Sequence, residues 1–194
     1  MTKPLSFIVL LFLLSSLTGC DKSGIVDHGS EVTNSTIMPL AIGNVWRLKC
    51  TQTLPDSTRI VYDSIYLLND TIIQAQRSFR VDLAEGTGPY QSFLNIRPNG
   101  LYIISVYDSM QFTLLFKCPA EIGDQYDSWG GRMTVLSTTD TVQVPAGKFI
   151  CYHYTSGYAP NYFSDYWYAP NIGFVKEEDH QFLSTKELIG YILN

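Results

Sequence analysis

The sequence predicts an all-β domain: about ten mostly antiparallel, meandering strands curled as a barrel or half-barrel of lipocalin-like type. Three observations carry that expectation. Short runs rich in β-branched and aromatic residues recur at a spacing of roughly 10–12 residues. Gly, Pro, Asn and Asp punctuate them. No window of a dozen residues shows a 3.6-residue apolar period. A meander this long must pair, cover or close its edges, which favours curling.

The folded part starts at Met38–Trp46 (MPLAIGNVW), where Gly43-Asn44 forms a turn that places the Trp46 indole in the core. Arg59–Leu68 (RIVYDSIYLL) is a strand ended by Asn69-Asp70, and Thr71–Leu83 is its hairpin partner. Gln91–Arg97 and Leu101–Tyr107 flank the turn Pro98-Asn99-Gly100, and Gln111–Lys117 is stopped by Pro119. AEIGDQYDSWGG, residues 120–131, reads as a loop. Arg132–Ser137 and Thr141–Val144 follow, separated by Thr138-Thr139-Asp140. Phe149–Ser156, Tyr162–Ala169 and Gly173–Glu178 come next, and Lys186–Leu193 reads equally as a helical turn or a strand.

Ahead of the domain, one cation (Lys3) precedes the apolar core Phe7–Leu14 and a small polar stretch, the pattern of an export signal. That core is too short to span a bilayer, which takes roughly 20 residues. Leu17-Thr18-Gly19-Cys20 resembles the bacterial lipobox, which implies cleavage before Cys20 and acylation of its thiol. Two or more acyl chains anchor stably where one does not. The expected organisation is a signal peptide over 1–19, a polar flexible tether over 20–36 containing His28, and the β-rich domain over 37–194. The expected location is the cell envelope of a diderm bacterium, lipid-anchored at the outer membrane, with the periplasmic or surface face left open.

Cleavage leaves 175 residues, enough for one domain with a sizeable core. Losing Lys3 leaves 12 Lys/Arg against 18 Asp/Glu, a net charge of −6. With no basic cluster, nucleic acid is not an expected partner, and neither is an anionic headgroup surface. Cys50, Cys118 and Cys151 permit one disulfide and a leftover thiol, or three buried thiols. No CxxC, GxSxG, HExxH, P-loop or EF-hand pattern occurs.

VPAGKFICYHY, Val144–Tyr154, invites a reading as a Cys–His site. Pro145 and Gly147 instead make a hairpin corner. Period two then puts Phe149, Cys151 and His153 on one strand face and Ile150, Tyr152 and Tyr154 on the other. Two ligands are too few for a zinc site, and a strand interior is a poor place for a reactive thiolate. Glu177-Glu178-Asp179-His180 reads as a solvated strand end, although Glu178 and His180 can share a face. No catalytic residue, metal or cofactor is therefore expected.

TDTVQVPAGKFICYHY followed by YWYAPNIGFVK is similar to a signature of uncharacterised bacterial lipoproteins and domains of unknown function. In that group a VPAGxF hairpin precedes a strand and a YxAPxxGxVK element closes the domain. PLAIGNVWRL resembles the group's PLxxGNxW opening, and the three matches span Pro39 to Lys176 in the family's order. The resemblance implies a β-rich, lipocalin-like or half-barrel domain and brings no catalytic residues with it.

Eight aromatics fall between Tyr152 and Tyr168, more than cross-strand pairing needs. Tyr152, Tyr154, Tyr162, Tyr166, Trp167 and Tyr168 are the candidates for lining a ligand cavity, with core packing as the competing role. The leading functional expectation is a membrane-anchored, non-enzymatic β-domain binding a lipid, a glycan or an envelope protein. The alternatives are a structural subunit of an envelope or secretion assembly, and an envelope hydrolase with carboxylates drawn from Glu85, Glu121, Asp124, Asp165 and Glu177.

Overall fold

The computed structural model describes residues 36–83, 92–105, 111–128, 131–159 and 162–194. The fold below is that of the unit Asn34–Asn194. The expected signal peptide, Cys20 and most of the tether lie outside the described residues. The first strands are β1 (Val45–Leu54), β2 (Ser57–Ile73), β3 (Gln76–Leu83) and β4 (Ser92–Arg97). They are followed by β5 (Gly100–Ser105), β6 (Thr113–Lys117), β7 (Gln125–Ser128) and β8 (Gly131–Val144). The last four are β9 (Gly147–Ala159), β10 (Tyr162–Ala169), β11 (Gly173–Asp179) and β12 (Ser184–Ile192). Among the described residues there is no helix.

All twelve strands belong to one sheet in the order β6-β5-β4-β3-β2-β1-β12-β11-β10-β9-β8-β7. Each adjacent pair is antiparallel, so the all-β meander expected from the sequence is what forms, as a nearly closed barrel. The pairing of β1 with β12 joins the two ends of the domain in mid-sheet, and the edges fall on β6 and β7, consecutive in the chain. Side chains stitch that seam. The Tyr126 hydroxyl on β7 accepts from the Lys117 N–H and donates to the Leu115 carbonyl, both at 3.0 Å. The Tyr154 hydroxyl donates to the Lys117 carbonyl at 2.7 Å, and Lys117 pairs with Asp124 at 2.8 Å. The edge groups of β6 thus find partners without a full ladder.

Several boundaries differ from the sequence reading. Asn69-Asp70 is not a turn; β2 runs on to Ile73, and a bulge between Leu67 and Asp70 absorbs the polar pair. The hairpin turns at Gln74-Ala75, with φ of 50° and 62°. Two consecutive left-handed residues are what a two-residue hairpin turn requires, but Asn-Gly, not Gln-Ala, is its usual mark. The 120–131 loop contains β7, too short to announce itself. Thr138-Thr139-Asp140 does not split two strands; it lies in the continuous β8, beside bulges at Val135/Ser137 and Ser137/Asp140. Lys186–Leu193 resolves as strand β12.

The bulges also change which face of the β8–β9 hairpin is buried. Tyr154 and Ser156 are buried on one face near the base, whereas Cys151 and Val144 are buried on the other near the tip. The tip reaches β12, where the Ala146 N–H donates to the Leu188 carbonyl at 3.0 Å, and Phe149 meets Tyr191 edge-on.

One end of the barrel is sealed by Ile37, Met38, Trp46, Leu67, Phe174 and Leu188, all buried. The Trp46 indole N–H donates to the Ile172 carbonyl at 2.6 Å. The β10–β11 turn lies so close to this ring that a Cβ on Gly173 would stand 2.9 Å from Met38 Cγ and 3.1 Å from Trp46 Nε1. Gly173 also has φ +99°, so both space and backbone require glycine there. Buried Asn44 ties the seal to both ends of the domain, donating to the Pro39 carbonyl at 3.0 Å and accepting from the Asn194 N–H at 2.9 Å.

Candidate functional site

Opposed residues on antiparallel strands share a face, so the registers trace rows around the barrel. One inner row runs Val61, Cys50, Lys186, Glu177, Tyr166, Tyr154, Val135 across β2, β1, β12, β11, β10, β9 and β8. Two positions further from the seal, Gln52, Ser184, Asp179, Ser164, Ser156 and Met133 form the next. The inner face is therefore apolar at the sealed end and rich in hydrogen-bonding groups at the other.

Lys186 and Glu177 pair at 3.0 Å in the first row, with side chains 40% and 17% exposed. An inward-facing lysine that is so exposed means that solvent enters this end of the barrel. Burial pulls the Lys186 ammonium down, but the Glu177 carboxylate outweighs it and holds the group above its ordinary value. Burial, with Glu177 adding to it, pushes the Tyr166 hydroxyl up. That hydroxyl hydrogen-bonds Ser164 and Ser156. Tyr166, Lys186, Glu177 and the two serines therefore form a connected polar group on the inner face, which solvent reaches at Lys186.

The six aromatic candidates separate. Tyr154 and Tyr168 are buried, packing with Tyr166 around Phe116 of β6 at centroid distances of 5.0, 4.1 and 5.5 Å respectively. Tyr152 stacks on Tyr154 at 6.1 Å and is half-buried. Tyr166 borders the polar rows. Trp167 faces outward, stacked on His153 at 4.3 Å. The side chain of Tyr162 lies outside the described residues. Of the five whose side chains are described, Tyr166 is the one that pairs directly with the polar inner-face groups. Its companions Lys186, Ser156 and Ser164 went unselected, and Glu177 was considered only as a hydrolytic carboxylate, because they come from strands far apart in the chain. Alternation alone could have flagged Lys186 on the face of Leu188.

Cys151 and His153 do not form a site together. Cys151 is fully buried, and burial with the nearby Asp140 pushes its thiol up to about 12. Burial likewise raises Cys118, against a hydrogen bond from Tyr152. Cys50, Cys118 and Cys151 form no disulfide.

His153 belongs to an outer-face group. Its Nδ1 is 3.0 Å from Asp140 Oδ2 and its Nε2 is 3.3 Å from Asp165 Oδ1. His180 Nε2 meets the other Asp165 oxygen at 2.9 Å, and Phe163 stacks on the His180 ring at 4.2 Å. Burial opposes ionisation of Asp165, but His153, His180 and Thr155 beside it prevail and hold its carboxyl below the usual range. Among the carboxylates considered for hydrolysis, Asp165 is on the outer face and Glu177 on the inner. Glu121 and Asp124 sit in the β6–β7 turn, where the Glu121 N–H donates to Asp124 at 2.8 Å. Glu85 lies outside the described residues.

No protein-family model matches this chain, and no curated protein matches it in sequence. Among solved structures, the fold is similar to that of a protein from Bacteroides fragilis, proposed to be exported and described as having a YmcC-like fold. The TM-score is 0.55 at 16% identity, covering 82% of this chain and 100% of the other. A protein from Parabacteroides distasonis, proposed to be a lipoprotein, aligns with a TM-score of 0.47 at 14% identity, over 81% and 99% of the two chains. The first likeness shows a shared fold.

Proposed function

We propose that this chain is a lipid-anchored envelope lipoprotein, held through Cys20, whose barrel binds a hydroxyl-rich ligand such as a glycan in its unsealed end. The observation that carries the reading is the inward-facing yet solvent-reached row of Lys186, Glu177 and Tyr166, backed by Ser156 and Ser164. A few convergent polar groups beside an aromatic wall suit a polar, ring-shaped ligand. A lipocalin-type acyl pocket would need an apolar lining there, and the apolar half of this interior is already filled. The export signal and lipobox of the sequence support the anchor, as does the resemblance to lipoproteins carrying the PLxxGNxW, VPAGxF and YxAPxxGxVK elements. Likeness in fold to a protein described as exported agrees with that setting.

The test is binding of neutral and acidic oligosaccharides, read by hydrogen exchange and by tyrosine fluorescence, with a fatty acid as competitor. Oligosaccharide should slow exchange in β10–β12, and Tyr166→Phe with Lys186→Met should weaken binding. Fatty acid binding inside the barrel with no oligosaccharide binding would refute the reading.

A further inference from the structure

We propose that the outer face of β10 and β11 carries a divalent transition-metal site, with Asp165, Glu178 and His180 as ligands and His153 as the side chain that orients Asp165. Ligand atoms of these three residues all lie within 4.8 Å of one another. Asp165 and Glu178 are directly opposed across β10–β11, and His180 follows where β11 ends, its N–H donating to the Phe163 carbonyl at 3.2 Å. The sequence reading set a metal aside because Cys151 and His153 gave too few ligands. The fold drops Cys151 and supplies two carboxylates and a second histidine.

His153 is the second, independent observation. Its Nε2 is buried and has no hydrogen-bond partner, although Asp165 Oδ1 is 3.3 Å away. His153 is wedged between Asp140 and Asp165 and sets the direction in which the Asp165 carboxylate is presented. A ligating carboxylate is regularly oriented by an outer-shell partner behind it, the place His153 takes. Each Asp165 oxygen lies against an imidazole nitrogen, at 3.3 Å for His153 and 2.9 Å for His180, which narrows the positions the carboxylate can take before any ion arrives. The 2.9 Å His180–Asp165 contact need open only to the ~3.4 Å between ligands of a tetrahedral ion. Mixed nitrogen and carboxylate donors suit zinc or its neighbours rather than calcium. Three protein ligands leave a position for water or for a group from a partner.

Lys176 competes for the site. Its ammonium lies 2.5 Å from Glu178 Oε1 and 5.3 Å from the centroid of the Trp167 ring. An entering ion must displace it, so removing this charge should tighten metal binding, an effect that a purely structural ion pair does not produce.

The experiment is titration of the full, tag-free chain with Zn²⁺ by calorimetry, and with Co²⁺ by visible absorption. One equivalent should bind. Glu178→Gln and His180→Ala, at partly exposed positions, should abolish that uptake. Asp140→Asn should weaken it ~10–100-fold, as expected for a group that orients a ligand's support. Lys176→Met should strengthen it, and Lys186→Met on the inner face should leave it unchanged, separating this site from the proposed ligand space. No stoichiometric uptake, or uptake unaltered in His180→Ala, would overturn the proposal and leave a proton-bound His–Asp network in its place.

Discussion

The two ends of the barrel use the same strands for opposite purposes. At the sealed end, Trp46, Met38, Phe174 and Gly173 fit so closely that a single carbon has no room. At the other, Lys186, Glu177, Ser164 and Ser184 occupy equivalent inward positions and remain partly exposed. Stability should therefore concentrate at the seal and recognition at the open end. The largest expected effects lie at the seal. Trp46→Ala should cost about 3–5 kcal/mol, through lost burial and the cavity left behind. Gly173→Val should be at least as severe, since it adds bulk against the indole in a backbone region that β-branched residues avoid. Chemical denaturation checks both. If either variant unfolds at the midpoint of the parent chain, the seal is not what holds the barrel.

An intermediate effect belongs to the seam. Tyr126→Phe removes a hydroxyl that satisfies both an N–H and a carbonyl of β6, an expected cost of about 1–3 kcal/mol. Hydrogen exchange should show the loss first in β6 and β7. A uniform loss across the sheet would mean that the hydroxyl serves packing rather than closure.

At the open end, Lys186→Met should change stability by no more than about 1 kcal/mol, because the pair it breaks is solvent-screened. The same substitution should weaken oligosaccharide binding. The double variant Lys186→Met/Glu177→Gln isolates the coupling between the two groups. Strong destabilisation by Lys186→Met alone would make the row a structural brace and erase the contrast between the ends.

The sequence carried the sealed end better than the open one, for a physical reason. A seal is local: Gly43-Asn44 before Trp46 and Ala169–Gly173 are contiguous turns whose residue types announce their backbone. The polar rows are assembled from Cys50, Lys186, Glu177 and Tyr166, which only the register brings together. Alternation fixes the face of each residue but not its neighbours across the sheet. Bulges then defeat alternation itself, as on β8, where Val135 and Ser137 are two apart yet pair with the consecutive residues Tyr154 and His153 and so face opposite sides. The outer cluster was hidden in the same way, since His153, Asp165 and His180 are brought together by the β9–β10 and β10–β11 registers.

The smallest predicted effect is a loss of stability at alkaline pH that groups along the whole barrel share. Near the tip of the β8–β9 hairpin, burial and the nearby Asp140 push the Cys151 thiol up to about 12 from an ordinary 9.0. Buried Tyr154 and Tyr168 are raised from 10.0, chiefly by burial. An acid raised in the folded state binds its proton more tightly there than in the unfolded chain. Stability is therefore untouched below the unfolded value and falls as pH climbs past it. Lys186 at the open end, raised from 10.5, stabilises below that value and loses its contribution as pH rises through its folded pKa. All of these groups pull the same way, so the melting temperature should be level near neutrality and decline from about pH 9, where the Cys151 difference begins. Buried Cys118 is raised from the same 9.0, so Cys151→Ala should make the decline above about pH 9 shallower without moving its onset. Melting curves between neutrality and pH 11 or so decide the matter. A parent and a Cys151→Ala chain that decline together would show that burial of this thiol contributes nothing to the fall.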